Sequence, residues 1–171
     1  ILAGRSLIHS GELKSVVSDM QSFRSAVSSF DDQYGAYPGD MPNATKYWGY
    51  SDPATTADAC YNKNQPTLEA TCDGNGDGLV NMVGATNYRH HERFLAWKHL
   101  ANAGLIEGKY IGRTNSNGDA LAYTSGITNP RARLANSIYD IGSLRDDASG
   151  LYKPFTDLNV TNVVAVSLYG Y

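Results

Sequence analysis

The sequence has no apolar run of about 18 residues, the length that a membrane-crossing helix needs, and no basic segment leading into a shorter apolar one. It therefore contains neither a helical membrane span nor a signal peptide. Positive charge is scarce too: 14 Lys and Arg stand against 17 Asp and Glu, for a net charge of −3 and a pI near 5.7. Without a general basic field, broad binding to a phosphate backbone is not expected. Only 2 cysteines are present, too few for a multiply bridged scaffold. No Gly-x-Ser-x-Gly occurs, and His90-His91-Glu92 is not the start of a zinc-protease helix, because His-Glu-x-x-His would need His at 95 and Leu95 stands there. Neighbouring acids such as Asp31-Asp32 and Asp146-Asp147 diverge along a chain, so no catalytic constellation emerges and an enzyme is not expected.

What is present fits one domain. The 171 residues are 42% hydrophobic, with mean hydropathy −0.38, enough to bury a core. The 12 tyrosines outnumber 4 phenylalanines and 2 tryptophans in a chain rich in Ser, Asn, Thr and Gly and only 18% charged, a palette suited to surfaces outside the cytoplasm. A sparse even cysteine count in that setting reads as one structural disulfide, Cys60–Cys72, with a loop-closure contribution of roughly 3 kcal/mol.

Over 13–30 the apolar residues Leu13, Val16, Val17, Met20, Phe23, Val27 and Phe30 recur at helical spacing, with polar Glu12, Lys14, Ser15, Asp19, Gln21, Arg24 and Ser25 opposite. The pattern predicts an amphipathic helix with Val16, Val17, Met20, Phe23 and Val27 buried and Asp19 and Arg24 in water. It should end near Gly35, ahead of Pro38. The segment 35–85 holds Pro, Gly, Asn and Asp without periodicity and is expected to be a long loop region. A second helix is expected within 86–104, with Phe94, Leu95, Trp97 and Leu100 apolar and Gly104 as its stop. The remainder, 105–171, reads as strands near 108–112, 120–125, 137–141 and 163–169. Helices followed by strands predict α+β, the long first helix packed on an antiparallel sheet.

Asp73-x-Asn75-x-Asp77-Gly78 has the spacing of the first half of a calcium loop, in which alternate oxygen side chains converge on a hard cation. The carboxylate expected to close such a loop is missing, since position 84 is Gly84; Glu92 is the next acid and the Leu79 carbonyl a further oxygen. The expected ligand set is thus Asp73, Asn75, Asp77, Leu79 and Glu92, against the plainer alternative of a turn whose side chains bond their own backbone. His90 and His91 read as helix-surface residues and His99 as a hydrogen-bonded, partly buried one. Arg131, Arg133 and Arg145, with Tyr139 and Tyr152, could line a small basic-aromatic patch, though solvated loop charge is the simpler account.

Three runs in order carry a family likeness: 30–49, containing Phe30-Asp31-Asp32-Gln33-Tyr34-Gly35-Ala36-Tyr37-Pro38-Gly39-Asp40 and Tyr47-Trp48-Gly49; Cys72-Asp73-Gly74-Asn75-Gly76-Asp77-Gly78; and Glu92 with Trp97-Lys98-His99-Leu100-Ala101 and Ala103-Gly104-Leu105-Ile106. Behind an amphipathic first helix, they resemble type IV pilin-like proteins and type II secretion pseudopilins. The family's apolar start is absent, and past residue 110 the likeness fades. The resemblance implies a globular head whose first helix continues from an apolar segment, with Ile1-Leu2-Ala3-Gly4 as that segment's last turn. It implies a structural subunit of a filament in the cell envelope, anchored in the inner membrane before assembly and then extracellular or periplasmic, with copies of itself and other pilins as partners. A pseudopilin of a secretion system, or a calcium-dependent adhesion or DNA-binding module at a filament tip, are the alternatives.

Overall fold

A computed structural model describes residues 2–50, 68–81, 92–112, 124–143 and 163–168. The first element, α1, runs from Leu2 to Tyr34, 33 residues or about 50 Å of helix. It ends where the sequence breaks it: Gly35 takes a left-handed φ of 68° and its N–H donates to Asp31 O at 2.8 Å. One line along its surface enters the core. Val16, Ala26 and Phe30 are buried, and Met20, Phe23, Val27 and Tyr34 pack partly covered against them. Burial of a side chain such as Phe30 stabilises by roughly 1.5–3 kcal/mol.

Two expectations about this face need correction. Val17 is 55% exposed, because one residue turns the helix by about 100° and carries it off the line on which Val16 sits. Asp19 is not simply in water: its carboxylate accepts a 2.8 Å hydrogen bond from Tyr139 Oη and lies 3.8 Å from Arg133 Nε. Arg24 is exposed, as expected.

Within the Pro-Gly-rich stretch a single helical turn, α2, spans Thr45–Trp48 and stops at Gly49. The longer α3 covers Glu92–Asn102 and closes with a paired C-terminal motif, Leu105 N to Leu100 O and Gly104 N to Ala101 O, both 3.0 Å, which requires the left-handed φ of 70° at Gly104. Every residue from Glu92 to Leu100 is buried. This helix is surrounded, and does not rest one-sided on a sheet.

Two strands, β1 (Ser137–Gly142) and β2 (Val163–Leu168), pair antiparallel with Ser137 opposite Leu168 and Gly142 opposite Val163. The architecture is α+β, with a smaller sheet among the described residues than the sequence predicted. The segment 108–112 is not a strand, since Gly108 and Gly112 hold φ at 105° and 69°, outside the extended region. Of 120–125, only 124 and 125 are described, and Ser125 makes an isolated bridge to Asn129. β1 is buried at all six positions. Tyr139 and Ile141 join Trp97, Leu100, Phe30 and Met41 in the core. There the Phe23 ring meets Trp97 at 5.0 Å and Tyr139 at 4.9 Å, edge to face.

Candidate functional site

The first turn of α3, the glycine-rich loop 73–81 and the segment 37–42 meet at one place. Two glycines make the approach possible. A Cβ on Gly39 would collide with the backbone of Glu92 and Ala96, and one on Gly74 with the backbone of Gly39 and Asp40. Backbone bonds fasten the contact: Gly74 N donates to Met41 O at 2.8 Å and Gly76 N to Asp40 O at 3.0 Å.

This packing brings three carboxylates together. One oxygen from each of Asp40, Asp77 and Glu92 lies within 4.8 Å of the others. Asp40 is 3% exposed and Glu92 1%, while Asp77 faces solvent. Asp40 Oδ1 accepts from Asp77 N at 3.0 Å and its Oδ2 from Gly78 N at 2.9 Å. Glu92 Oε1 accepts from Asn75 N at 2.9 Å and Oε2 from Asn81 N at 3.0 Å. Asp77 accepts from Leu79 N at 2.9 Å and from the Asn75 side-chain amide at 2.9 Å. Burial, the largest influence, raises the pKa of Glu92 to about 7 and also raises that of Asp40. The surrounding N–H groups pull both down, and the neighbouring carboxylates push them up.

Of the five expected ligands, Asp77 and Glu92 converge and Asp73 is engaged elsewhere. Its two oxygens take the Thr45 N–H at 2.8 Å and the Thr45 hydroxyl at 3.0 Å, so that it holds the start of α2. Asn75 Oδ1 accepts the Asp77 N–H at 2.9 Å, the self-bonded turn that was the plainer alternative. Leu79 enters through its N–H on Asp77. Asp40 was missed. Its partner Asp77 lies 37 positions away, and no spacing rule connects a Pro-Gly-Asp turn to a glycine-rich loop. Asn81 was missed although it stands at the ninth position of the calcium-loop spacing counted from Asp73, itself a ligand position in such loops.

Deeper along α3, His99 is fully buried, a correction to its expected partial burial. Its Nδ1 accepts from Gly39 N at 3.0 Å, so Nε2 carries the proton and reaches Thr71 Oγ1 at 3.0 Å and Cys72 O at 3.2 Å. Burial drives its pKa down to about 3, and the ring is a neutral strut. Its ring stacks 6.2 Å from Phe30, which ties α3 to α1. Lys98 Nζ donates to Leu68 O at 3.2 Å, and the Arg93 guanidinium pairs with Asp140.

Tyr139 is 1% exposed and its hydroxyl is committed to Asp19, so it offers no stacking face to a nucleic acid. Arg145, Tyr152, His90, His91 and Cys60 lie outside the described residues. Cys72 is buried. No described helix is long and apolar enough to cross a membrane. No protein-family model, curated protein or solved structure matches the chain.

Proposed function

We propose that this chain is the globular head of a type IV pilin-like filament subunit of the bacterial envelope, a pilus or a secretion pseudopilus. The observation that carries the reading is α1. It is 33 residues long, and among its described side chains, which start at residue 10, the core is first entered at Val16. Residues 10, 11, 13 and 14 are exposed, with Leu13 at 46%. A long helix whose described early positions face solvent suits a subunit whose helices stack with those of neighbouring copies, and the three family-like sequence runs support the same assignment.

In this reading the head tiles the outside of the filament, its partners are further copies of itself and other pilins, and the inner membrane holds the precursor through an apolar segment ahead of Ile1. Repeated heterologous contacts that do not close into a ring then build a helical filament. The oxidising compartment favours the Cys60–Cys72 disulfide.

The test joins an apolar segment of about 20 residues to Ile1. Immunogold imaging should place the extended chain in envelope filaments, light scattering should find the head alone monomeric at micromolar concentration, and mass spectrometry without reductant should find no free thiol. A tight dimer of the head together with absence of the extended chain from filaments would sink the reading.

A further inference from the structure

The orphaned atom beside the three carboxylates is the side-chain oxygen of Asn81. Asn81 is 7% exposed, and its Oδ1 is buried without a hydrogen-bond partner. The amide is pressed against the acidic cluster on two sides: Nδ2 stands 3.4 Å from Asp77 Oδ2, and the backbone N–H of the same residue holds Glu92 Oε2. A half-turn of the amide exchanges its nitrogen and oxygen and points the oxygen at Asp77. In one orientation an acceptor is stranded, and in the other two oxygens face each other. A cation between them resolves both.

We propose that Asp40, Asp77, Glu92 and the side-chain oxygen of Asn81 bind one hard divalent cation, calcium. Three carboxylate oxygens within 4.8 Å of one another are close enough to share one central ion, and calcium, which accepts irregular oxygen shells at about 2.3–2.6 Å, suits ligands drawn from three separate chain segments better than magnesium, which demands a strict octahedron. The hydrogen bonds already made leave room for it. Each Glu92 oxygen takes one backbone N–H and retains a second lone pair, and the Asp40 carboxylate, faced by the N–H groups of Asp77, Gly78 and Gly76, keeps at least one. The charge balance asks for it, because neither ion pair between described residues, Arg93–Asp140 or Arg133–Asp19, touches the three acids. Exposed Asp77 provides the entry side, where water completes the coordination.

The bound ion clamps three pieces of chain that are distant in sequence: the Pro-Gly-Asp turn, the glycine-rich loop and the start of α3. This site differs from a linear Asp-x-Asn-x-Asp loop, since Asp40 replaces Asp73. It is independent of the filament reading, and a titration of the head alone tests it without any polymerisation.

The experiment titrates calcium chloride, and separately magnesium chloride, into the chelator-stripped 171-residue protein by calorimetry, with thermal melts in EDTA and in about 10 mM calcium, tenfold or more above the dissociation constants of about 0.1–1 mM of extracellular-type sites. One calcium per chain, weaker magnesium binding and a higher melting temperature in calcium are expected. Asp77→Asn, at an exposed position that folding tolerates, should weaken calcium binding by at least about tenfold, and Asn81→Ala by about tenfold. Asp73→Asn should leave the affinity within about threefold, well inside the tenfold that one coordination contact carries. The absence of any calcium heat together with an unchanged melt would overturn the site. Magnesium binding as tightly as calcium would overturn the choice of ion, and a loss on Asp73→Asn equal to that on Asp77→Asn would overturn the ligand set.

Discussion

Glu92 and Arg93 are neighbours on α3, both nearly inaccessible to water, and the fold satisfies their charges in opposite ways. Arg93 meets a carboxylate, that of Asp140 on β1, whose Oδ1 also accepts from Ile141 N at 3.0 Å. Glu92 meets the N–H groups of Asn75 and Asn81, and then two more acids. One side of the helix buries a neutral pair and the other a net negative charge. The first arrangement balances its charge with a partner side chain, and the second faces backbone N–H groups and further acids, which is the difference between a structural joint and a place for a cation.

The largest effect should come from breaking the complete side. Arg93→Met leaves Asp140 buried without its cation, and loss of one partner from a buried pair costs about 3–5 kcal/mol. Urea midpoint analysis should show it, and adding Asp140→Asn should recover more than half. A single-variant loss below about 1 kcal/mol would mean that the pair is not buried as described.

The second effect sharpens the contrast further along the same helix. His99 is held neutral, with a pKa near 3 against 6.5 for the ordinary residue. The unfolded chain therefore takes up a proton that the folded one refuses, so this stability contribution is intact above pH 6.5 and declines as the pH falls toward 3. The loss from this residue should amount to roughly 2–3 kcal/mol by pH 4.5. The ring proton shifts of His99 in NMR should stay flat from pH 7.5 to 4.5. A midpoint near 6.5 would show that the ring is reached by water and that its bonds to Gly39, Thr71 and Cys72 do not hold it.

The sequence made visible those features that rest on local chemistry. The stripe of α1 and its end at Gly35, the stop at Gly104, and β1 and β2 follow from spacing and from residues that tolerate only certain backbone angles. Asp77 and Glu92 could be paired because an incomplete calcium-like spacing asks for one more acid. Asn81, at the ninth position of the same spacing, was legible and overlooked; Asp40 was not legible, since its place depends on Gly39 lying against Glu92 and Gly74 against Asp40. The burial of α3 was hidden for a related reason: Glu92, Arg93 and Lys98 look like an outer face, and each is accommodated by a partner remote in sequence.

The smallest effect concerns another pair of neighbours, Val16 and Val17, identical in type and different in fate. Val16 is 7% exposed and Val17 55%. Val16→Ala should cost the isolated head about 1–2 kcal/mol, as removal of buried methyl groups does. Val17→Lys, which adds a charge and length, should stay within about 0.5 kcal/mol, because the helix turns that side chain out of the domain. Denaturant midpoints of the two variants give the comparison directly. If Val17→Lys destabilised the head as much as Val16→Ala, the apolar stripe would lie where spacing alone puts it, and α1 would sit on the core rotated from the orientation described. If the head is indifferent to Val17→Lys while the extended chain carrying it fails to enter filaments, the exposed valine belongs to a contact between copies, and α1 serves the domain on one side and its neighbours on the other.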